Sequence, residues 1–356
     1  MIDPQSRSLE WIEQASSQIS NIADTALVEK AIRALSLLES LVRSGCPFIF
    51  KGGTALMLHL NTSRRLSIDV DIVCPPGLDI RGYLGKFGSE YGFLEVNEIE
   101  RKSRTGVPKS HAEYRYAVTY PSGRPTDKSL LDVLYEDIHY NEVVSLPIDS
   151  PLLKMDGAPL MVQCPSLKDM LGDKLTAFAP HTTGIPFFKG EDAFFMEIMK
   201  QLYDVSSIID RIDDIPDVRK TYNQLAPIEL GYRKLDQLTV VDVLEDSYNS
   251  AMNICHRGTL DRTEYGYYVE GVRSVNKFII PENYNADIAI RDAAKVAYLV
   301  RLIQTGNDQV KHYKPEMNEE LAGTLIQNLQ LNKLNRIKKI SLEAFFYLLE
   351  IEKMTE

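Results

Sequence analysis

The run Phe48-Ile49-Phe50-Lys51-Gly52-Gly53-Thr54-Ala55-Leu56 leaves the backbone few choices. An apolar stretch suited to a short buried strand meets a glycine pair and then helix-forming residues through Leu60, so the spacing predicts a strand, a tight turn and a helix. Such a turn aims backbone N–H groups and the positive end of a helix at one point, a place for a phosphate, with the Thr54 hydroxyl as a further donor. Downstream, Ser67-Ile68-Asp69-Val70-Asp71-Ile72-Val73 alternates polar and apolar residues. Side chains alternate across a strand, so Ser67, Asp69 and Asp71 share one face while Ile68, Val70 and Ile72 share the other. Two carboxylates about 4 Å apart repel by roughly 4 kcal/mol at an effective dielectric near 20, and a hard divalent cation turns that repulsion into attraction. Mg²⁺ suits the place, since it binds through one or two carboxylates and completes its shell with water and phosphate oxygens; Mn²⁺ is the alternative ion. The competing reading is an ordinary surface strand with outward acids after a tight turn.

On these residues the chain resembles the nucleotidyltransferase superfamily of DNA polymerase β, whose signature is a Gly-Gly or Gly-Ser turn followed by two spaced acids. More narrowly, Gly-Gly-Thr-Ala-Leu followed by Arg65-Leu66-Ser67-Ile68-Asp69-Val70-Asp71 is similar to the AbiEii/AbiGii-type toxin nucleotidyltransferases, which commonly read Arg-x-Ser-x-Asp-Ile-Asp at this point. The resemblance implies that Asp69 and Asp71 hold the metal. It also implies that Gly52, Gly53, Thr54, Arg65 and Ser67 bind the triphosphate. It extends from Phe48 to about Ile209.

A chain of 356 residues with 44% hydrophobic content is long enough for two domains with real cores. No basic stretch followed by an apolar run opens it, and no segment approaches the length of a membrane span, so a cytoplasmic protein without a membrane association is expected. Cys46, Cys74, Cys164 and Cys255 lie far apart, and with six scattered histidines they give no zinc pattern; reduced, partly buried thiols are expected. A net charge of −10 argues against a surface coated for non-specific nucleic-acid binding. Local basic runs at Arg64-Arg65, at Arg101-Lys102 with Arg104, and from Lys333 to Lys339 still permit a basic groove, although each also reads as a solvated face.

The expected fold class is α+β: a polymerase β-like mixed sheet with helices on one face, followed by a mainly helical C-terminal domain. Helical spacing of Leu27, Ile32, Leu35, Leu38, Leu41 and Val42 predicts a helix from Ala23 to Ser44, and Trp11 belongs to a shorter one nearby. After the Asp-Val-Asp strand, Gly77 to Phe93 reads as a helix, followed by strands at Phe93–Ile99, Ala112–Tyr120 and Leu130–Tyr135. Pro147, Pro151, Pro159 and Pro165 mark a crossing between domains, placing a nucleotidyltransferase domain at 1–165 and a helical domain that completes the active site at 166–356. Within the latter, helices are expected at Ser166–Phe178, Asp192–Asp210, Val218–Leu225, Asp236–His256, Glu264–Phe278, Ala286–Thr305, Glu319–Leu331 and Leu342–Lys353. Phe187 to Asp192 reads as a loop, with Asp192 as helix N-cap.

Three further polar residues draw competing readings. Asp132 interrupts the apolar strand Leu130-Leu131-Asp132-Val133-Leu134 and is either a third carboxylate of the site or an acid near a strand edge, with Glu136 and Asp137 as rivals. Lys174 lies within the apolar arc of Met170, Leu171, Leu175 and Phe178, on a helix that Ser166 and Asp169 start as a capping box. It must find an acid or a phosphate, or snorkel to water. The toxin family has a Lys-Leu-x-Ala element that Lys174-Leu175-Thr176-Ala177 matches, which implies a charge on the triphosphate. Asp204 lies off the apolar arc of its helix and above Lys200, so pattern alone gives a solvated ion pair. The resemblance instead matches Leu202-Tyr203-Asp204 to the family's closing element, whose aspartate is functional, with Gln201 standing where that element carries an acid.

The expected activity is Mg²⁺-dependent transfer of a nucleoside monophosphate from a nucleoside triphosphate to an acceptor hydroxyl, with Asp132 or Asp204 completing metal binding or accepting the acceptor's proton. The resemblance further implies the toxin of a bacterial toxin–antitoxin or phage-defence (abortive infection) pair, an RNA acceptor such as tRNA, and a cognate antitoxin protein. Two alternatives are an antibiotic-type small-molecule nucleotidyltransferase and a catalytically silent nucleotide-binding module. The intact Asp-Val-Asp pair disfavours the second.

Overall fold

A computed structural model describes residues 1–20, 23–62, 64–99, 108–121, 123–280 and 283–354. The chain divides into two units, one of Met1–Met170 with Lys277–Asn283 and one of Leu171–Asn276 with Tyr284–Glu356. Arg101, Lys102 and Arg104 lie outside the described residues.

The first unit opens with α1 (Leu9–Ile19) and α2 (Thr25–Ser44), followed by β1 (Ile49–Lys51), α3 (Gly52–Leu60) and β2 (Asp69–Cys74). Then come β3 (Phe93–Ile99), β4 (Lys109–Ala117), β5 (Thr126–Tyr135), β6 (Val143–Pro147), β7 (Met161–Pro165) and α4 (Leu167–Ala177), whose last residues belong to the second unit. Five strands form a mixed sheet in the order β1-β2-β5-β4-β3, parallel only between β2 and β5; β6 and β7 form a separate hairpin.

Alternation sorts the sheet into two faces. Val70, Ile72, Ala112, Tyr114, Leu131 and Val133 are buried, and α2 packs against β2 and β5. That helix starts where Asp24 accepts from the N–H groups of Ala26 and Leu27, and ends at Gly45 with φ 78°. Its buried Glu29 accepts from the backbone N–H groups of Thr119 and Tyr120, both at 2.9 Å, and from Arg33 at 3.3 Å. A buried carboxylate is tolerable only when so satisfied, and here it fixes the end of β4 to the helix. The opposite face of the sheet is polar.

Two expectations for this unit need correction. Gly77 to Phe93 is a series of turns with one short 3₁₀ segment, Ile80–Gly82, not a helix. Five glycines lie in it, and Gly77, Gly85 and Gly92 take positive φ, which no α-helix accommodates. Strand β4, expected at Ala112–Tyr120, begins at Lys109 and ends at Ala117.

In the second unit the chain continues with β8 (Phe188–Lys189), β9 (Asp192–Ala193), α5 (Phe195–Ile209), α6 (Pro216–Tyr232), α7 (Val240–Cys255), α8 (Arg262–Val275), α9 (Ala286–Thr305), α10 (Asn318–Gly323) and α11 (Leu342–Lys353). Helix α9 is the centre: Ala289, Ile290, Ala293, Ala294, Val296 and Ala297 are buried, and α5, α7 and α11 pack on it. Its buried Lys295 is neutralised by Asp210 at 2.8 Å and Glu343 at 2.7 Å. Phe187 to Asp192, expected as a loop, contains the β8–β9 hairpin, so Asp192 pairs with Lys189 and is not an N-cap. The helix expected at Glu319–Leu331 ends at Gly323. In the basic run from Lys333, Leu334 and Ile337 are buried, while Arg336 and Lys338 donate to backbone carbonyls of His256 and Ala322.

No helix among the described residues is long and apolar enough to cross a membrane. All four cysteines are free and buried.

Candidate active site

On the polar face of the sheet, backbone register builds a row. Lys51 of β1 pairs with Asp71 of β2, Asp71 with Asp132 of β5, and Asp132 with His111 of β4. Directly paired residues present side chains to the same face, and neighbouring strands lie about 4.8 Å apart. Asp69, two residues before Asp71, stands on the same face one row away. The parallel β2–β5 pairing therefore gathers Asp69, Asp71 and Asp132 on a single surface.

The glycine turn is pressed against this surface. Gly52 has φ 79°, and a Cβ added to it would lie 2.1 Å from Asp71 Oδ2. A Cβ on Gly53 would lie 2.3 Å from Arg65 Nη2 and 2.7 Å from Ser67 Oγ. Only glycine lets the Asp71 carboxylate, the Arg65 guanidinium and the Ser67 hydroxyl approach the start of α3 this closely. The N-cap residue Lys51 makes no side-chain cap bond to that helix start. Thr54 is fully buried and its hydroxyl donates to the Asp69 carbonyl oxygen at 2.6 Å, so its proton locks helix to strand.

The loop bearing Arg65 and Ser67 is held by residues from far along the chain. Leu66 N–H donates to Phe278 O at 2.8 Å, Ile280 N–H donates to Arg64 O at 2.6 Å, and Arg65 bridges to Ile279. At the other end of α3, His59 Nε2 meets Pro165 O at 2.8 Å. Burial holds the His59 imidazole below its ordinary range, with that carbonyl pulling the other way.

Asp132 keeps 44% of its side chain exposed, and its carboxylate is hydrogen-bonded to His111 Nδ1. Its rivals Glu136 and Asp137 lie beyond the end of β5.

In the second unit, Lys174 of α4 and Asp204 of α5 form a buried ion pair, Nζ to Oδ2 at 2.7 Å, with Gln201 Oε1 at 3.4 Å from the same ammonium. Asp204 is fully buried, which overturns the solvated pair with Lys200 that helical spacing suggests. A carboxylate off the apolar arc is buried here because a lysine from another helix neutralises it. Lys174 accordingly satisfies its inward charge with an acid. Gln201, one turn before Asp204, supplies the ammonium with a neutral acceptor.

Sequence patterns missed His111, Lys51 and the strap around Phe278. The polar alternation of Lys109, His111, Glu113 and Arg115 marks β4 as one-faced, but pairing His111 with Asp132 requires the inter-strand register.

Three hard carboxylates sharing a face suit an oxygen-preferring divalent ion. Among the described residues no group of three or more His, Cys, Asp or Glu side chains is arranged to hold a metal ion. Two carboxylates such as Asp69 and Asp71, with water and substrate oxygens, are enough for a magnesium-type ion.

A family model described as nucleotidyl transferase AbiEii toxin, type IV toxin–antitoxin system, matches residues 33–250. No curated protein matches the chain. Among solved structures, one described as a candidate nucleotidyltransferase from H. pylori is 15% identical, with a TM-score of 0.44, covering 80% of this chain and 96% of its own.

Proposed function

The chain belongs to the AbiEii nucleotidyl transferase toxin family, and from that premise we propose that it moves a nucleoside monophosphate from a nucleoside triphosphate to an acceptor hydroxyl, with RNA such as tRNA as the acceptor. The observation that carries the reading is the contact of Asp71 with the Gly52 turn while the same residue pairs in register with Asp132. Phosphate-binding backbone and metal-binding carboxylates thus meet at one residue.

In this reading Asp69, Asp71 and Asp132 hold Mg²⁺. When bound, the ion neutralises triphosphate charge and polarises the α-phosphoryl group. The start of α3, with Ser67 and Arg65, orients the phosphates, Arg65 as a forked donor. Thr54 acts indirectly, fixing the Asp69 backbone. The acceptor oxygen attacks the α-phosphorus, the bond to the α,β-bridging oxygen breaks, and pyrophosphate leaves while the acceptor proton passes to solvent or a carboxylate. Asp132 is the third functional acid in preference to Asp204, because it keeps an exposed carboxylate while Asp204 is committed to Lys174. By the family resemblance Lys174 is a functional cation, and its ion-pair partner Asp204 holds it in place.

The family implies an antitoxin partner. A cytoplasmic setting follows from the nucleotide and RNA substrates. Incubating the chain with each α-labelled triphosphate, Mg²⁺ and total bacterial RNA tests the proposal. Label in RNA, absent with Asp69→Asn, supports it. Label only in small molecules favours the antibiotic-type alternative, and transfer that survives Asp69→Asn refutes the site.

A further inference from the structure

The row through Asp71 and Asp132 extends one strand further, to a residue that the mechanism above leaves without a role. His111 lies on β4, an internal strand bonded to β5 on one side and β3 on the other, with Asp132 and Ile99 as its register partners. Ladders on both edges fix its backbone. Its side chain is only 18% exposed, against 44% for Asp132, so the better enclosed group holds the freer one.

The direction of the bond follows from the groups themselves. An ionised carboxylate has no proton to give, so His111 Nδ1–H is the donor and Asp132 Oδ1 the acceptor. One carboxylate oxygen is thereby committed to His111 and the other is left to a ligand. An aspartate on a strand otherwise has several staggered rotamers, and only some aim its oxygens at Asp71.

We infer that His111 is a positioning residue that anchors Asp132 beside Asp71, from where it can add an oxygen to a divalent cation bound by Asp69 and Asp71. This rests on the nucleotidyl-transfer reading of the same carboxylates. Hydrogen-bond partners of metal-binding carboxylates commonly set affinity in this way, and their loss costs about 10- to 100-fold.

Mn²⁺ binding to the full chain, read by electron paramagnetic resonance of the free ion without any turnover, tests the inference. In His111→Asn the amide nitrogen stands close to where Nδ1 stood, whereas His111→Phe keeps the planar bulk and loses the donor. Affinity is expected to fall about 10- to 100-fold in His111→Phe and to stay within about threefold of wild type in His111→Asn. Combining His111→Phe with Asp132→Asn should weaken binding no further than Asp132→Asn alone, the coupling expected of residues that act through one another. Circular dichroism melts identify any variant that binds poorly because it is unfolded, and the Asn–Phe contrast is then read among the folded ones. Wild-type affinity in His111→Phe, or full additivity in the double variant, overturns the inference and leaves the nucleotidyl-transfer reading intact. Failure of the wild type to bind Mn²⁺, or binding that survives Asp69→Asn, overturns both.

Discussion

Replacing Gly52 by alanine adds one methyl group at the most crowded point of the site. Gly52 has φ 79°, where an L-residue costs about 1–2 kcal/mol. The stiffer unfolded chain returns about 0.4–1 kcal/mol. The new Cβ would lie 2.1 Å from Asp71 Oδ2, 2.8 Å from its Cγ and 3.0 Å from its Cβ. Because the Asp71 Cβ itself is within reach, swinging the carboxylate aside gives only partial relief, and an off-rotamer side chain adds about 0.5–1.5 kcal/mol. The net destabilisation is about 1–3 kcal/mol, and the displaced carboxylate should weaken Mn²⁺ binding at least about tenfold. Gly53→Ala is the control. Its Cβ would meet the far ends of Arg65 and Ser67, flexible groups able to move at a cost below about 1 kcal/mol. It should therefore spare Mn²⁺ binding while weakening nucleoside triphosphate binding. Urea unfolding gives the stability of both variants, and a Mn²⁺ titration with a separate nucleotide titration gives the affinities. Wild-type Mn²⁺ affinity in Gly52→Ala would refute the close approach of turn and carboxylate on which the site is built.

Three other outcomes are expected. Asp204→Asn strands the buried Lys174 ammonium and should cost about 3–5 kcal/mol in urea unfolding, most of it recovered by Lys174→Met with Asp204→Leu. Thr54→Val removes the donor to the Asp69 carbonyl and should lower stability by about 1–2 kcal/mol while reducing Mn²⁺ affinity through the shifted strand. His181 is held up to about 9 from an ordinary 6.5, first by its hydrogen bond to Asp246 and then, against the pull of burial, by the charges of Asp246 and Glu264. A raised pKa gives stability that is complete below about pH 6.5 and lost as pH rises through about 9; with the imidazole half exposed, screening leaves about 1 kcal/mol. His181→Asn should remove that part of the difference between unfolding midpoints at pH 6 and pH 10.

Much of the fold can be read from local rules. The strand–turn–helix at Phe48, the alternation around Asp69 and Asp71, and the helices at Ala286–Thr305 and Leu342–Lys353 follow from nearest-neighbour patterning. What patterning cannot supply is pairing between distant segments. His111 looks unremarkable within its own strand and acquires meaning only from the β5–β4 register, while Asp132 stands out by pattern but is set opposite Asp71 only by the β2–β5 pairing. Asp204 looks exposed on its own helix because its neutralising partner, Lys174, lies on another. The glycines from Gly77 to Gly92 show the converse error, where apolar spacing suggests a helix that the backbone conformations exclude.

The strap at Phe278 and Ile280 also sets a schedule for synthesis. The loop with Arg65 and Ser67 belongs to a unit whose first stretch ends at Met170, yet two of its backbone bonds come from residues made after Asn276. At about 5–20 residues per second, the ribosome reaches residue 283 on the order of ten seconds after residue 170. A nascent chain therefore carries the strand with Asp69 and Asp71 well before it carries the bonds that fix the loop of Arg65 and Ser67. A product truncated before Lys277 would lack them permanently, so premature termination tends to yield a chain whose proposed nucleotide site is incomplete rather than a short active one.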